Sequence, residues 1–196
     1  YLLFLNNDVE IITESWLEEM LQLCQQKDVG MAGAKLYYPD DTIQHAGVVV
    51  GLGGVAAHVL CKLPRDAEGY MGRLRCVQEI SAVTAACMMV KTSVFKAVGG
   101  FDEELKVAFN DIDLCMKVRK YGVKIVFTPY AELYHYESKS RGMEDTPEKQ
   151  LRFSREVNCF RRKWERELLK GDPYYNPNLT LNNTDCSLRK QEKNGD

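Results

Sequence analysis

The stretch YLLFLNND at residues 1–8 constrains the chain more than any other. Five aromatic and branched apolar residues followed by turn formers read as a strand. Asn6, Asn7 and Asp8 then fall at its C-terminal end, the edge at which open α/β sheets bind ligands. An unbroken apolar run is the pattern of a strand covered on both faces. YLLFL is therefore expected to be an interior strand, starting abruptly with no initiating methionine. Further strand–helix units upstream are expected to cover it, and the surface they would cover should be bare in this chain.

Downstream, helical and extended patterns alternate. Ser15 with Glu18 spells a capping box, and Trp16, Leu17, Met20, Leu23 and Cys24 form a helical stripe behind it. VGMAGAKLYY and IQHAGVVVG read as strands around the turn PDDT. A glycine-rich irregular stretch spans residues 51–72, and VQEISAVTAACMMVK reads as buried strand before a short helix through Phe95. NDIDLCMKVRKYG is a short helix stopped by Gly122, VKIVF and AELYHY are strands, and Thr146-Pro147 opens a long helix. Phe153, Val157, Phe160, Trp164 and Leu168 share one face of that helix. Beyond Gly171 the chain reads as an irregular tail that frays. The expected organisation is one α/β unit over residues 1–170, with a mixed sheet flanked by helices, followed by the tail at 171–196.

With 196 residues, 45% apolar and 28% charged, the chain can bury a core, and its net charge of -2 gives no pull towards nucleic acid. No apolar run approaches the ~20 residues needed to cross a bilayer. The seven cysteines form no CxxC pair and lie mostly among apolar residues, as free thiols in a reducing cytosol do.

The residues that bear chemistry are few. Asp111, Leu114, Cys115 and Val118 are spaced i, i+3, i+4, i+7, so Asp111 heads the inward stripe of its helix, whereas Asp113 falls with Lys117 on the solvent side. By spacing alone Asp111 is a capping carboxylate at a helix N-terminus. His135 ends a buried strand, where a histidine is more often a satisfied core residue than a ligand. Asn6-Asn7-Asp8 by itself reads as a turn. Arg152, Arg155, Arg161 and Arg162 have Glu148, Glu156 and Glu165 at pairing distance, a solvated, salt-bridged face.

The order of these pieces changes the reading. FLNNDVEI, QHAGVVVGLGGVAAH, SAVTAACMMVK, GGFDEELKVAFNDIDLC, FTPYAELYHYESKSRG and DPYYNPNLTL together resemble the family 2 glycosyltransferases, nucleotide-sugar-dependent enzymes of the GT-A fold. The likeness is greatest to bacterial enzymes that build rhamnose- or galactofuranose-type surface polysaccharides. The resemblance implies that NND stands for the family's acidic triplet, so that Asp8 holds a divalent metal, Mn²⁺ or Mg²⁺, with His135 completing the site. It implies that Asp111 is the general base, with Asn110 where the family has a glutamate. It also places Asn6, Asn7, Gly100, Phe101, Asp102, Asn110, Lys139 and Arg141 against donor or acceptor.

By spacing alone Gly99-Gly100-Phe101 is equally a helix C-cap with a packed ring, and Lys139 and Arg141 are equally solvated. His45 and His58 match family positions without an assignable chemistry. The implied partners are a nucleotide-diphosphate sugar and a glycan or lipid-linked glycan acceptor, with peripheral association at the inner membrane face. The resemblance further implies that the nucleotide-binding strands precede Tyr1, so that this chain alone binds donor poorly. Two other readings are weighed. One is a two-metal phosphoryl- or nucleotidyl-transferring enzyme, for which carboxylates are too few. The other is a non-catalytic carbohydrate-binding or scaffolding piece.

Overall fold

The computed structural model describes residues 1–136 and 146–190. In chain order the elements are β1 (Leu2–Leu5), β2 (Val9–Ile11), α1 (Trp16–Gln25), β3 (Val29–Tyr37), β4 (Ile43–His45), β5 (Val48–Val50), β6 (Ala56–His58), β7 (Gln78–Glu79), β8 (Cys87–Val90), α2 (Thr92–Ala97), α3 (Asn110–Tyr121), β9 (Lys124–His135), α4 (Pro147–Lys163) and α5 (Glu165–Lys170). Seven strands form one mixed sheet in the order β1-β8-β3-β9-β2, with β4 beside β3 and β7 beside β9. The β3–β9 pair is parallel and the other pairs antiparallel. A mixed sheet flanked by helices is the architecture expected from the sequence, and it is GT-A-like.

All nine residues of β3 are buried, so it shows no alternation. Its glycines permit close cover: a Cβ on Gly33 would lie 2.3 Å from the Val83 side chain, and one on Gly30 would lie 2.3 Å from Val123. One face of the sheet packs against α1 through Trp16, Met20, Leu23 and Cys24. The other packs against α3 and α4 through Cys115, Val118, Phe160 and Trp164. All seven cysteines are free, and burial pushes the Cys24 thiol up to about 11 and that of Cys87 to about 12.

β1 is an edge strand paired with β8 alone; Leu2 and Phe4 are half-buried, whereas Leu3 and Leu5 are exposed, the bare surface expected of this strand in this chain. Several other expectations are corrected. Ser15 is the N-cap of α1 but its side chain makes no capping bond, and Leu17 of the expected stripe is exposed. The reading VQEISAVTAACMMVK holds as strand only at β7 and β8. VKIVF and AELYHY are one twelve-residue strand, β9, with a register shift opposite Gly33/Lys35. Thr146 does cap α4, accepting from Lys149 N at 3.3 Å. Residues 171–190 are irregular but pinned to β5 and its neighbouring loops: Val50 N donates to Asp172 Oδ2 at 2.8 Å, Gly53 N to Leu181 O at 2.8 Å and Leu60 N to Thr184 O at 2.6 Å. Tyr175 and Leu179 are buried in the core.

The largest correction concerns Asp113, which is fully buried rather than solvated. Trp164 Nε1 donates to its Oδ1 at 2.8 Å, and the Lys163 ammonium lies 2.7 Å from the same oxygen. Lys117 Nζ is 3.3 Å from Oδ2 while donating to the carbonyl of Gly100. The i, i+4 pairing with Lys117 is real, but α4 and its kink at Trp164 close over it. Burial alone would lower the pKa of Lys163; its hydrogen bonds to Asp102 and Asp113 outweigh burial and raise it. Removing one member of such a buried pair strands the charges left behind. Asp113→Ala should cost about 3 kcal/mol, the low end for buried pairs because both lysines keep some water. Urea titration checks this: the midpoint should fall with an unchanged slope. A midpoint within error of the parent would show that the cluster contributes nothing.

Candidate active site

The turn Asn7–Asp8 joins β1 to β2, and β2 runs antiparallel to the end of β9 with Val9 opposite His135. Tyr136 N donates to Asp8 O at 2.8 Å, completing the ladder. This pairing brings together residues far apart in sequence. Asn6 Nδ2 lies 2.9 Å from His135 Nε2, and Asp8 Oδ1 lies 3.3 Å from the same nitrogen. Asn7 stands exposed in the turn.

The tautomer of His135 follows from its neighbours. Gln44 Nε2 donates to the His135 carbonyl at 3.2 Å, which can only accept, so Gln44 Oε1 is the atom facing His135 Nδ1 at 2.7 Å. Nδ1 therefore carries a proton, and in the singly protonated ring the Nε2 lone pair accepts from Asn6 Nδ2, with Asp8 Oδ1 3.3 Å away. Asp8 Oδ1 is buried and accepts no hydrogen bond from the described residues. A positive charge at this point, a cation or a second proton on the ring, would satisfy that oxygen. A histidine oriented through its other nitrogen is the usual outer arrangement of a metal ligand. Asp8 and His135 therefore fit a divalent cation, as two protein ligands only. Among the described residues no group of three or more His, Cys, Asp or Glu is placed to hold one.

Asp111 opens α3, whose N-cap Phe109 is left-handed at φ 63°. Its Oδ2 accepts from Ala85 N at 3.1 Å and its Oδ1 from Ile112 N at 2.8 Å, while Asn110 Oδ1 accepts from Asp111 N at 2.7 Å. Ala85 belongs to the segment before β8 whose next residue, Ala86, accepts from Asn6 N at 3.0 Å. Asp111 and Asn6, which contacts His135, are thus held to adjacent residues of one short wall.

Thr84 extends that wall into a cavity of about 280 Å³ lined by Gln44, His58 and His135. The chain's three histidines gather here. His45 is fully buried beside His58, with Nδ1 atoms 3.1 Å apart, and burial, then the neighbouring His58 and His135, hold its pKa well below the usual histidine value.

The other residues expected at donor or acceptor have structural partners. Gly99 and Gly100 have positive φ and cap α2, with Gly100 N bonded to Phe95 O at 3.0 Å. Phe101 packs edge-on to Phe4 at 5.0 Å, and Asp102 pairs with Lys163, which holds its carboxyl below the usual range. Lys139 and Arg141 lie outside the described residues.

Residues 2–155 match the family described as glycosyltransferase like family 2. The chain belongs to that family. Among its relatives is an uncharacterized protein, y4gI, of Sinorhizobium fredii, 57% identical over 93% of this chain and 20% of its own length. Another is the O-antigen biosynthesis protein RfbC of Myxococcus xanthus, 40% identical over the whole chain and 15% of its own length. A third, the N-acetylglucosaminyl-diphospho-decaprenol L-rhamnosyltransferase of Mycobacterium tuberculosis, is 36% identical over 32% of this chain and 20% of its own length. The chain therefore spans a fifth or less of the length of these relatives.

Sequence reasoning missed three parts of the site. Gln44 was invisible because a polar residue in a short strand gives no sign of what it faces. The Thr84–Ala86 wall acts through backbone atoms, which any sequence could supply. Glu156, expected on the solvated face of α4, is only 3% exposed. It accepts from the backbone N–H groups of Lys106 (3.0 Å), Val107 (3.2 Å) and Ala108 (2.9 Å), fixing the loop that delivers Phe109, Asn110 and Asp111. Arg161 of the same helix is likewise engaged, donating to Gly54 O at 3.2 and 3.1 Å. Glu156→Gln turns an amide donor against one of those N–H groups, at a cost of roughly 1–3 kcal/mol. Amide hydrogen exchange should quicken at residues 106–108 and leave β3 unchanged. Unaltered protection at 106–108 would show that the carboxylate does not hold the loop.

Proposed function

We propose that this chain carries the catalytic base and metal-binding residues of an inverting glycosyltransferase, which moves a sugar from a nucleotide-diphosphate donor to a hydroxyl of a glycan or lipid-linked glycan. The observation that carries the reading is the unsatisfied Asp8 Oδ1 lying 3.3 Å from Nε2 of an oriented His135, with Asp111 bonded to Ala85 nearby. The relatives named for O-antigen biosynthesis and rhamnosyl transfer support a surface polysaccharide built with hexose or deoxyhexose units.

Asp111 takes the proton of the acceptor hydroxyl as that oxygen attacks the anomeric carbon from the face opposite the diphosphate. The new glycosidic bond forms as the bond to the phosphate oxygen breaks, and the anomeric centre inverts in one displacement. Asp8 and His135 would hold Mn²⁺ or Mg²⁺, which when bound supplies Lewis-acid neutralisation of the departing diphosphate. Asn6, whose Nδ2 lies 2.9 Å from His135 Nε2, would give up that contact when the metal binds. Asn7, exposed in the same turn, is assigned to the donor. Gly100, Phe101, Asp102 and Asn110 border donor or acceptor in this reading, with Lys139 and Arg141 for the phosphates. Seven free cysteines support a reducing compartment, and we place the reaction in the cytoplasm, at the inner face of the membrane. Among the described residues no helix is long and apolar enough to cross a membrane, so such contact would be peripheral.

Two measurements test the reading on the full-length protein. Asp111→Asn should lower kcat by about 10²–10⁴-fold with donor affinity unchanged, because only proton removal is lost. Turnover within a few-fold of the parent would remove Asp111 from the mechanism. Asp113→Asn is a useful contrast, since its loss of activity should follow its loss of folded protein. Separately, Mn²⁺ binding followed by water-proton relaxation should weaken at least tenfold in both Asp8→Ala and His135→Ala, the usual scale for a lost ligand or its support. Equal Mn²⁺ affinity in parent and variants would sink the metal assignment while leaving the base untouched.

A further inference from the structure

The largest cavity of the described residues is not the one at His135. It is an open groove of about 1070 Å³ between the N-terminal end of α1, the C-terminal halves of β3 and β9, and the segments at 64–67 and 74–75. Its volume is at the upper end for small-ligand sites, so it suits an extended ligand. Three cations, Lys35, Arg65 and Arg75, line it against five carboxylates, a formal balance of -2. That balance disfavours a diphosphate or any other polyanion.

The cations are also committed to neighbours. The Arg65 guanidinium covers the Tyr37 ring at 4.9 Å and lies 3.6 Å from Glu132 and 3.4 Å from Asp41. Lys35, only 5% exposed, donates to Leu74 O at 3.2 Å, and its ammonium lies 5.3 Å from the centroid of the same ring. The Tyr37 hydroxyl donates to Glu132. Burial first, then the Glu132 contact, pushes the Tyr37 pKa upward. The floor is therefore a lattice of paired donors and acceptors with little uncompensated charge.

One aromatic surface in the groove remains open. Tyr130 is 52% exposed; its backbone N–H donates to Thr128 Oγ1 at 3.2 Å, and its ring is anchored at one end, where the hydroxyl donates to Arg75 O at 3.3 Å. A half-exposed tyrosine beside carboxylate and guanidinium groups presents an apolar face to C–H groups and planar polar partners to hydroxyls. That combination fits a neutral, hydroxyl-rich chain.

We infer that this groove binds a neutral stretch of glycan, the acceptor chain in the transferase reading on which the inference rests. The groove and the candidate active site share elements: Glu132 lies on the same strand as His135, and Thr42 of the groove lies two residues before Gln44, which orients His135. Tyr37 faces the groove while Tyr38 lines the cavity beside His135, so the β3–β4 turn is the divide over which the chain passes.

The test is a binding titration of the full-length protein against a panel of neutral hexose and deoxyhexose oligosaccharides and their phosphorylated counterparts. Saturable binding of a neutral member is expected. It should fall on the order of tenfold in Tyr130→Ala, the weight of one aromatic contact at its upper end, and persist in Tyr130→Phe, which keeps the ring. Tyr121→Ala, an exposed tyrosine at the end of α3, should bind as the parent does. No saturable binding, equal binding by Tyr130→Ala, or preference for the phosphorylated members would each overturn the inference. Asp111→Asn separates the two readings. Neutral binding that survives in that variant without transfer supports both; neutral binding that depends on Tyr130 in a protein with no transfer at all keeps the groove and rejects the transferase.

Discussion

The pairing of β9 with β3 on one side and β2 on the other is the constraint on which the site depends. Parallel pairing to β3 sets the direction of β9, so that both strands end at the same edge. Antiparallel pairing to β2 then carries His135 to the turn that holds Asp8. A one-residue slip in that register would turn His135 to the other face of the sheet and separate the pair. The fully buried β3, with Gly33 covered by Val83, is what resists the slip: its position is over-determined by packing on both faces.

Asp111 is placed by a different device. No strand delivers it; a loop does, and loops need fixing by polar contacts. Glu156 supplies three backbone bonds just before the helix, and the Asp113–Lys163–Lys117 cluster with Trp164 clamps α3 to α4. α4 therefore sets the position of α3's first turn. These buried charges are paired and hydrogen-bonded, the condition under which burial of charge is tolerated. The cost is that Asp111 and the long helix stand or fall together.

Two cavities flank the end of β3, and their chemistry differs. The smaller is lined by histidine, glutamine and threonine beside an unsatisfied carboxylate oxygen, a setting for a cation and charged donor. The larger is a polar groove with an excess of carboxylates and one open tyrosine, a setting for hydroxyls rather than polyanions. The separation matches two substrates of opposite character meeting at one edge of a sheet.

Much of this was legible in the sequence. Apolar periodicity located α1, β3, α3 and α4, because burying one stripe or one face leaves a repeating trace. The order of NND, GGFD, Asn110-Asp111 and a strand ending in His135 pointed to the family, and the structure joins Asp8 to His135. Other features left no local trace. Asp113 and Glu156 look like surface charges because helical spacing says which residues share a face, not what another element lays over that face. Gln44 and the Thr84–Ala86 wall act through geometry created only when β4 and β8 dock beside β3. YLLFL reads the same whether one face or two are covered, so composition fixed it as a strand and only the tertiary structure decided which of its side chains meet water.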